Sequence, residues 1–238
     1  MRRVVAGISP DDQILFEDIA GEIARNRDAL DAYAHILAAG NRSARLTGPS
    51  DPDVIWEEHI LDCAFSLPCA PETGLAVDVG SGGGLPGIVW AICRPRLTVV
   101  LLESVRKKCA ALSEMARELG LENIVVECER SEILASSRRE NFTSAVSRAV
   151  GHLGVAAEYM SPLVTPGGRL VCFKGPRLHE ELAEIGPRWD LLGLDFPSIR
   201  PYSHKDKKLY LVLWNKSAHC PDRFPRRPGR AQKQHWWR

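Results

Sequence analysis

Apolar side chains recur at helical spacing near the start of the chain, at Ile14, Leu15, Ile19, Ile23, Leu30, Tyr33, Ile36 and Leu37. That spacing gives a helix one face to bury. The polar interruption at Arg25–Arg27 predicts two helices, or one broken helix, ending at Gly40. A polar loop follows, and Val54–Leu67 predicts a short helix before Pro68, Pro71 and Gly74 punctuate the chain. No strand pattern occurs in this part, so residues 1–73 read as a helical cap.

From Leu75 the rhythm changes. Short apolar runs at 75–79, 97–103, 123–128, 142–148 and 167–175 alternate with helical stretches at about 85–93, 105–119 and from 149 to about 163. Buried strands at this spacing, with helices between them, predict a mostly parallel sheet covered on both faces. Near the end, two β-rich runs flank the polar turn around Lys205 with no room for a helix. They predict a hairpin at the sheet edge and seven strands in all, the last antiparallel. The core therefore spans 74–216, and 217–238 reads as an extended tail.

Composition narrows the class. The chain has 238 residues, 45% apolar and 26% charged, enough for one large domain with an appendage. These proportions exclude a collagen, a coiled coil and a wholly disordered chain. No apolar run reaches about 20 residues, which argues against a membrane span. Asp11 and Asp12 interrupt the N-terminus before any long apolar stretch, unlike a signal peptide. The seven cysteines are dispersed, without a CxxC pair, and predict buried thiols in a reducing, cytoplasmic compartment, with no disulfide framework and no zinc site. Charge is uneven. From Arg200 onward there are eleven Lys and Arg against two Asp, so the net +1 conceals an acidic body and a basic end. Such an end suits a polyanionic partner, or simply solubilises the chain.

The strongest local signal is Asp78-Val79-Gly80-Ser81-Gly82-Gly83-Gly84-Leu85-Pro86-Gly87, a glycine-rich turn between a strand and a helix. Glycines permit the tight turn and let a ligand approach backbone amides. Asp78 lies at the end of the first strand, where it can accept from a ligand ammonium or a bound water. Glu103 ends the second strand, 23 residues after Gly80, where a carboxylate can take both hydroxyls of an adenosine ribose. NAD proteins and S-adenosylmethionine proteins share that arrangement. Glu132, after the third strand, either approaches an adenine amino group or is a carboxylate favoured at a helix start. No GKS or GKT follows the glycines, and HExxH, EF-hand and GxSxG patterns are missing. A Tyr-xxx-Lys or His pair for hydride handling is not found either. His59 and Asp62 sit three apart on one helix, which does not make a metal site.

The combination resembles the RsmG or GidB family, bacterial 16S rRNA guanine-N7 methyltransferases. The resemblance is carried by Leu46-Thr47, His59-Ile60-Leu61-Asp62, the glycine turn with Pro86-Gly87, LLES with Lys107-Lys108, and Arg130-Ser131-Glu132. It continues through Ser147-Arg148-Ala149, Phe173-Lys174-Gly175 and the FPRRPGRAQK run at 224–233. It covers about residues 30–235. Three positions depart from the pattern: Gly40-Asn41-Arg42 where the family has Trp and Asn, Arg45 for the usual Asn, and Glu103 for the usual Asp.

The resemblance implies a class I S-adenosylmethionine-dependent methyltransferase, a Rossmann-like α/β fold with a seven-stranded mixed sheet and an N-terminal helical extension. It implies S-adenosyl-L-methionine held by Asp78, Gly80, Ser81, Gly82, Gly84, Leu85, Glu103, Ser131, Glu132 and Arg148. It implies a guanine in the 530 loop of 16S rRNA as acceptor, on the small ribosomal subunit, and a monomer without metal or membrane. Arg148, Lys174 and His59 become the candidate catalytic residues, and Arg130, Lys205, Arg226, Arg227 and Lys233 the candidate RNA contacts. Guanine N7 carries an in-plane lone pair and no proton, so no general base is needed. An amino-nitrogen acceptor would call for an Asn/Asp-Pro-Pro-Tyr-like run where this chain has SRAV, and a cytosine C5 acceptor for a cysteine nucleophile. The tail arginines, interleaved with Phe224, Trp236 and Trp237, resemble a phosphate-contacting arm, or else the aromatic tail folds back over the sheet. The alternative activity is methyl transfer to a small molecule or to another RNA.

Overall fold

A computed structural model describes residues 13–238; residues 1–12, with Asp11, Asp12 and the start of the expected cap, lie outside the described residues. Seven strands form one mixed sheet in the order β3-β2-β1-β4-β5-β7-β6. The chain divides into two compact units at Arg130/Ser131.

In the unit Leu15–Arg130, α1 (Glu17–Arg25) buries Ile19 and Ile23. Asn26 interrupts it, its side chain donating to the Glu22 carbonyl at 2.9 Å, so the expected break is present. The second helix, α2 (Arg27–Ala44), runs past Gly40 and stops at Arg45, whose φ of 47° is left-handed. The expected stop at Gly40 is thus overridden. A Cβ there would come within 3.1 Å of Leu46, so the glycine serves a close packing contact and not a helix end. Asp51 caps α3 (Pro52–Ile55), accepting from the Asp53 amide at 2.9 Å. A π-helical turn over Trp56–Ile60 then leads into α4 (Leu61–Ala64).

Next come β1 (Gly74–Val79), α5 (Gly87–Cys93), β2 (Leu97–Leu102), α6 (Arg106–Glu118) and β3 (Ile124–Glu127). These strands pair in parallel, and β1 and β2 are buried along nearly their whole length, as a sheet covered on both faces requires. One cysteine expectation is corrected. Cys109 of α6 and Cys128, just beyond β3, form a disulfide with Cα atoms 5.8 Å apart, while the other five cysteines are buried thiols. The parallel crossover brings these two together, a proximity that their separation of 19 residues does not announce.

The second unit comprises Ser131–Arg238 with Ile14, whose amide donates to the Pro201 carbonyl at 3.0 Å. It contains α7 (Ser131–Ser137), β4 (Phe142–Ser147), α8 (Leu153–Met160) and β5 (Val164–Lys174). Then follow α9 (Leu178–Ile185), an element the sequence pattern does not predict, β6 (Ser198–His204), β7 (Lys207–Asn215) and α10 (Arg230–Lys233). Strand β5 pairs with β4 in parallel and with β7 antiparallel, and β6–β7 is the expected hairpin. Its turn, Lys205-Asp206, has both residues at positive φ, 47° and 59°, the mirror-image turn that fits strand twist.

Of the two readings of the tail, the structure shows the folded one. Residues 217–238 fold back: Cys220, Phe224, Ala231 and Trp237 are buried, and Arg139 donates to the carbonyls of Phe224 (2.7 Å) and Cys220. The indole of Trp236 donates to the Gly154 carbonyl at 2.7 Å, and Trp237 lies so close to Gly154 that a Cβ would clash at 2.3 Å.

Candidate functional site

The glycine turn has two classes of glycine. Gly83, Gly84 and Gly87 face inward: a Cβ on Gly84 would meet Ile88 at 2.4 Å, and one on Gly87 would meet Leu101 at 2.5 Å. Their role is packing. Gly80 and Gly82 lie at the accessible rim with φ of 76° and 56°, a conformation that glycine adopts freely. The backbone is thereby open to a ligand at Gly80–Gly82, while Ser81 and Leu85 point into the protein at 2% and 4% exposure.

Side chains fix this turn from several directions. Asp78 is fully buried and accepts from the Gly87 amide at 3.0 Å, and the Ser81 hydroxyl donates back to the Asp78 carbonyl at 2.8 Å. Asp78 and Ser81 therefore hold the turn from beneath. Glu103 accepts from the Ser104 and Val105 amides through Oε1 (2.7 and 2.9 Å), and from Gly82 through Oε2 at 3.1 Å. A carboxylate has about four acceptor sites, so Oε2 retains one for a ligand hydroxyl. Two residues of this arrangement escape sequence reasoning. Tyr33, which reads as part of an apolar stripe, donates to the Gly83 carbonyl at 2.8 Å. Asn41, in the segment that departs from the family pattern, accepts from the Thr47 amide at 3.0 Å and donates to the Pro49 carbonyl at 2.8 Å. It thus fixes the loop whose Leu46 packs on Gly83. His59 sits half-buried in the π-helical turn, a geometry frequent at functional sites. Arg130 is exposed at the end of this unit.

In the second unit, Arg148 is half-buried directly after β4, ahead of Ala149 at φ 61°. Lys174 ends β5. Its ammonium lies 2.7 Å from Glu181 and donates to the Gly151 carbonyl at 2.8 Å, while Glu181 also accepts from the Leu153 amide at 2.6 Å. Lys174 thereby ties the end of β5 to the loop that carries Arg148. Ser131 and Glu132 open α7, and Glu132 accepts from the Gly229 amide at 3.0 Å. Burial pushes the Cys172 thiol of β5 up to about 12, so it stays protonated and is no nucleophile.

The expected RNA contacts separate into two kinds. Lys205, Arg227 and Lys233 are exposed. Arg226 instead forms a fork on Glu158, Nε to Oε1 at 2.8 Å and Nη2 to Oε2 at 2.6 Å, and Glu158 is fully buried. That guanidinium is committed to the fold. Its partner has a sequence signal: a lone glutamate within the apolar run LGVAAEYM needs a buried cation. Among the described residues no three His, Cys, Asp or Glu gather as a metal site, and no helix is long and apolar enough to cross a membrane.

The family model described as GidB, rRNA small subunit methyltransferase G, matches residues 26–210. The ribosomal RNA small subunit methyltransferase G of Carboxydothermus hydrogenoformans is 35% identical over 207 residues, 85% of this chain and 88% of that protein. The protein of the same description from Rubrobacter xylanophilus is 38% identical over 216 residues, 86% of this chain and 82% of its own. Among solved structures, the 16S rRNA (adenine(1408)-N(1))-methyltransferase from Catenulisporales acidiphilia is similar in fold, with a TM-score of 0.52 at 16% identity, covering 73% of this chain and 96% of that one.

Proposed function

Because the chain belongs to the rRNA small subunit methyltransferase G family, we propose that it transfers a methyl group from S-adenosyl-L-methionine to N7 of a guanine in the 530 loop of 16S rRNA, in the cytoplasm. The family match through residues 26–210 carries this reading. The open backbone at Gly80–Gly82 and the spare acceptor on Glu103 fit an adenosine moiety, and they support the same cosubstrate.

When bound, that cosubstrate supplies a methyl carbon activated by a positively charged sulfur, and the N7 lone pair accepts it without loss of a proton. The protein's contribution is then proximity and orientation. Glu103 receives a ribose hydroxyl on Oε2, and Asp78, Ser81 and Tyr33 keep the turn in shape beneath it. Arg148 directs its fork to guanine O6 or a flanking phosphate. Lys174 is a positioning residue, acting through Gly151 and Glu181 on the loop that presents Arg148. His59 orders the cofactor turn or the base from its π-helical turn. Arg130, Lys205, Arg227 and Lys233 supply phosphate contacts, whereas Arg226 serves the fold.

The test is transfer of a labelled methyl group to small ribosomal subunits lacking the modification, with small amines, phenols and unrelated RNA as competing acceptors. Label in 16S rRNA, lost in Arg148→Ala, is the expected result. Label on the small acceptors alone overturns the reading.

A further inference from the structure

The folded tail creates a groove of about 660 Å³, within the ~300–1,000 Å³ usual for small-ligand sites. Its apolar wall is Leu191, Phe224 and the half-buried indole of Trp236. Arg223, Arg227 and Arg230 stand exposed around it. The fourth arginine of the lining, Arg226, is neutralised by Glu158, so the groove's charge comes from the other three, and no carboxylate lines it.

Its backbone is held at three points. Phe224 is fastened through its carbonyl to Arg139, Arg226 through its amide to Glu158 at 3.2 Å, and Gly229, at φ 78°, through its amide to Glu132. A merely solubilising tail has no use for a backbone pinned so that arginines surround an aromatic face. Three cations beside a flat apolar wall suit a ligand that alternates negative charge with planar rings. Single-stranded RNA has that chemistry, because its bases can splay out of the stack while its phosphates meet arginine.

We propose that this groove is a subsite for one unpaired ribonucleotide of the RNA substrate, its base against Trp236 and its phosphates on Arg223, Arg227 and Arg230. The proposal deepens the rRNA reading and rests on it. Arg223 and Arg230 become phosphate contacts that supply affinity, and Glu158 and Glu132 positioning residues for the groove.

The test uses the full chain and a fluorescently labelled hexamer of riboadenosine, read by anisotropy at several salt concentrations. Arg223→Glu with Arg230→Glu is expected to weaken binding at least tenfold. The dependence of log K on log salt should become shallower by about 0.7 per lost contact, the single-strand value. Both residues are exposed, so an unchanged unfolding temperature will show that the fold persists. Unchanged hexamer affinity in the double variant overturns the proposal. So does binding of a poly-glutamate peptide as tight as that of the hexamer, which points to an acidic protein partner. Failure of the subunit methylation assay with hexamer binding intact sinks the proposed function and leaves the groove. Methylation with a hexamer indifferent to the double variant does the reverse.

Discussion

Glu103 holds a turn and offers a ligand acceptor with one carboxylate, so its removal tests both roles together. Glu103→Ala is expected to weaken S-adenosylmethionine binding at least tenfold by calorimetry, since a charge-assisted hydrogen bond contributes about 1.5–3 kcal/mol. An unchanged affinity would remove Glu103 from the cofactor site. Gly84→Ala tests the packing glycines: at φ 93°, with Ile88 2.4 Å from the new Cβ, it should cost about 2–4 kcal/mol in denaturant unfolding. At this scale the sequence identifies the residues better than their work. The motif puts Asp78 at the site, but only the fold shows its carboxylate turned onto Gly87. Tyr33 stayed hidden because a tyrosine on an apolar stripe looks like core until its hydroxyl partner, fifty residues away, is known.

The elements were legible where hydrophobic rhythm was strong and uninterrupted. Strands β1, β2, β4 and the β6–β7 hairpin follow from apolar runs that a buried sheet demands, and the break between α1 and α2 from the polar residues there. Gly40 misled because its small size meets a packing need that overrides helix propensity. The tail left two readings open because its prolines and arginines suggest solvent and its aromatics burial; the cation that decides between them is paired to a glutamate in α8. Arg226→Ala leaves Glu158 buried and uncompensated, and should cost about 3–5 kcal/mol in thermal or chemical unfolding. A cost below 1 kcal/mol would show that the tail is not stapled there. In the hairpin turn, Asp206→Gly relieves positive φ and is expected to raise stability by about 0.5–1 kcal/mol.

For the whole molecule, charge asymmetry and redox state give the widest-reaching consequences. Burial raises the Glu140 carboxyl, but the Cys220 amide, His219 and the buried Lys216 ammonium outweigh it and hold it below its ordinary 4.5. The unfolded chain then binds the proton more readily, so this stabilisation is complete above pH 4.5 and is lost as pH falls through the lower folded value. Glu140→Gln should flatten that limb of a stability–pH curve; an unaltered slope would contradict the ion cluster. Denatured without reductant, the protein should titrate five thiols, and seven after reduction. The disulfide was invisible to the sequence because nothing in the spacing tells which cysteines a crossover brings together. Whether N7 of a 530-loop guanine is the acceptor is read most directly by reductive cleavage mapping of 16S rRNA from small subunits methylated by this protein. The expected result is a single new break at a guanine of the 530 loop, diagnostic of N7-methylguanosine and missing with Arg148→Ala. Methylated rRNA that gives no cleavage, or cleavage outside that loop, would contradict it.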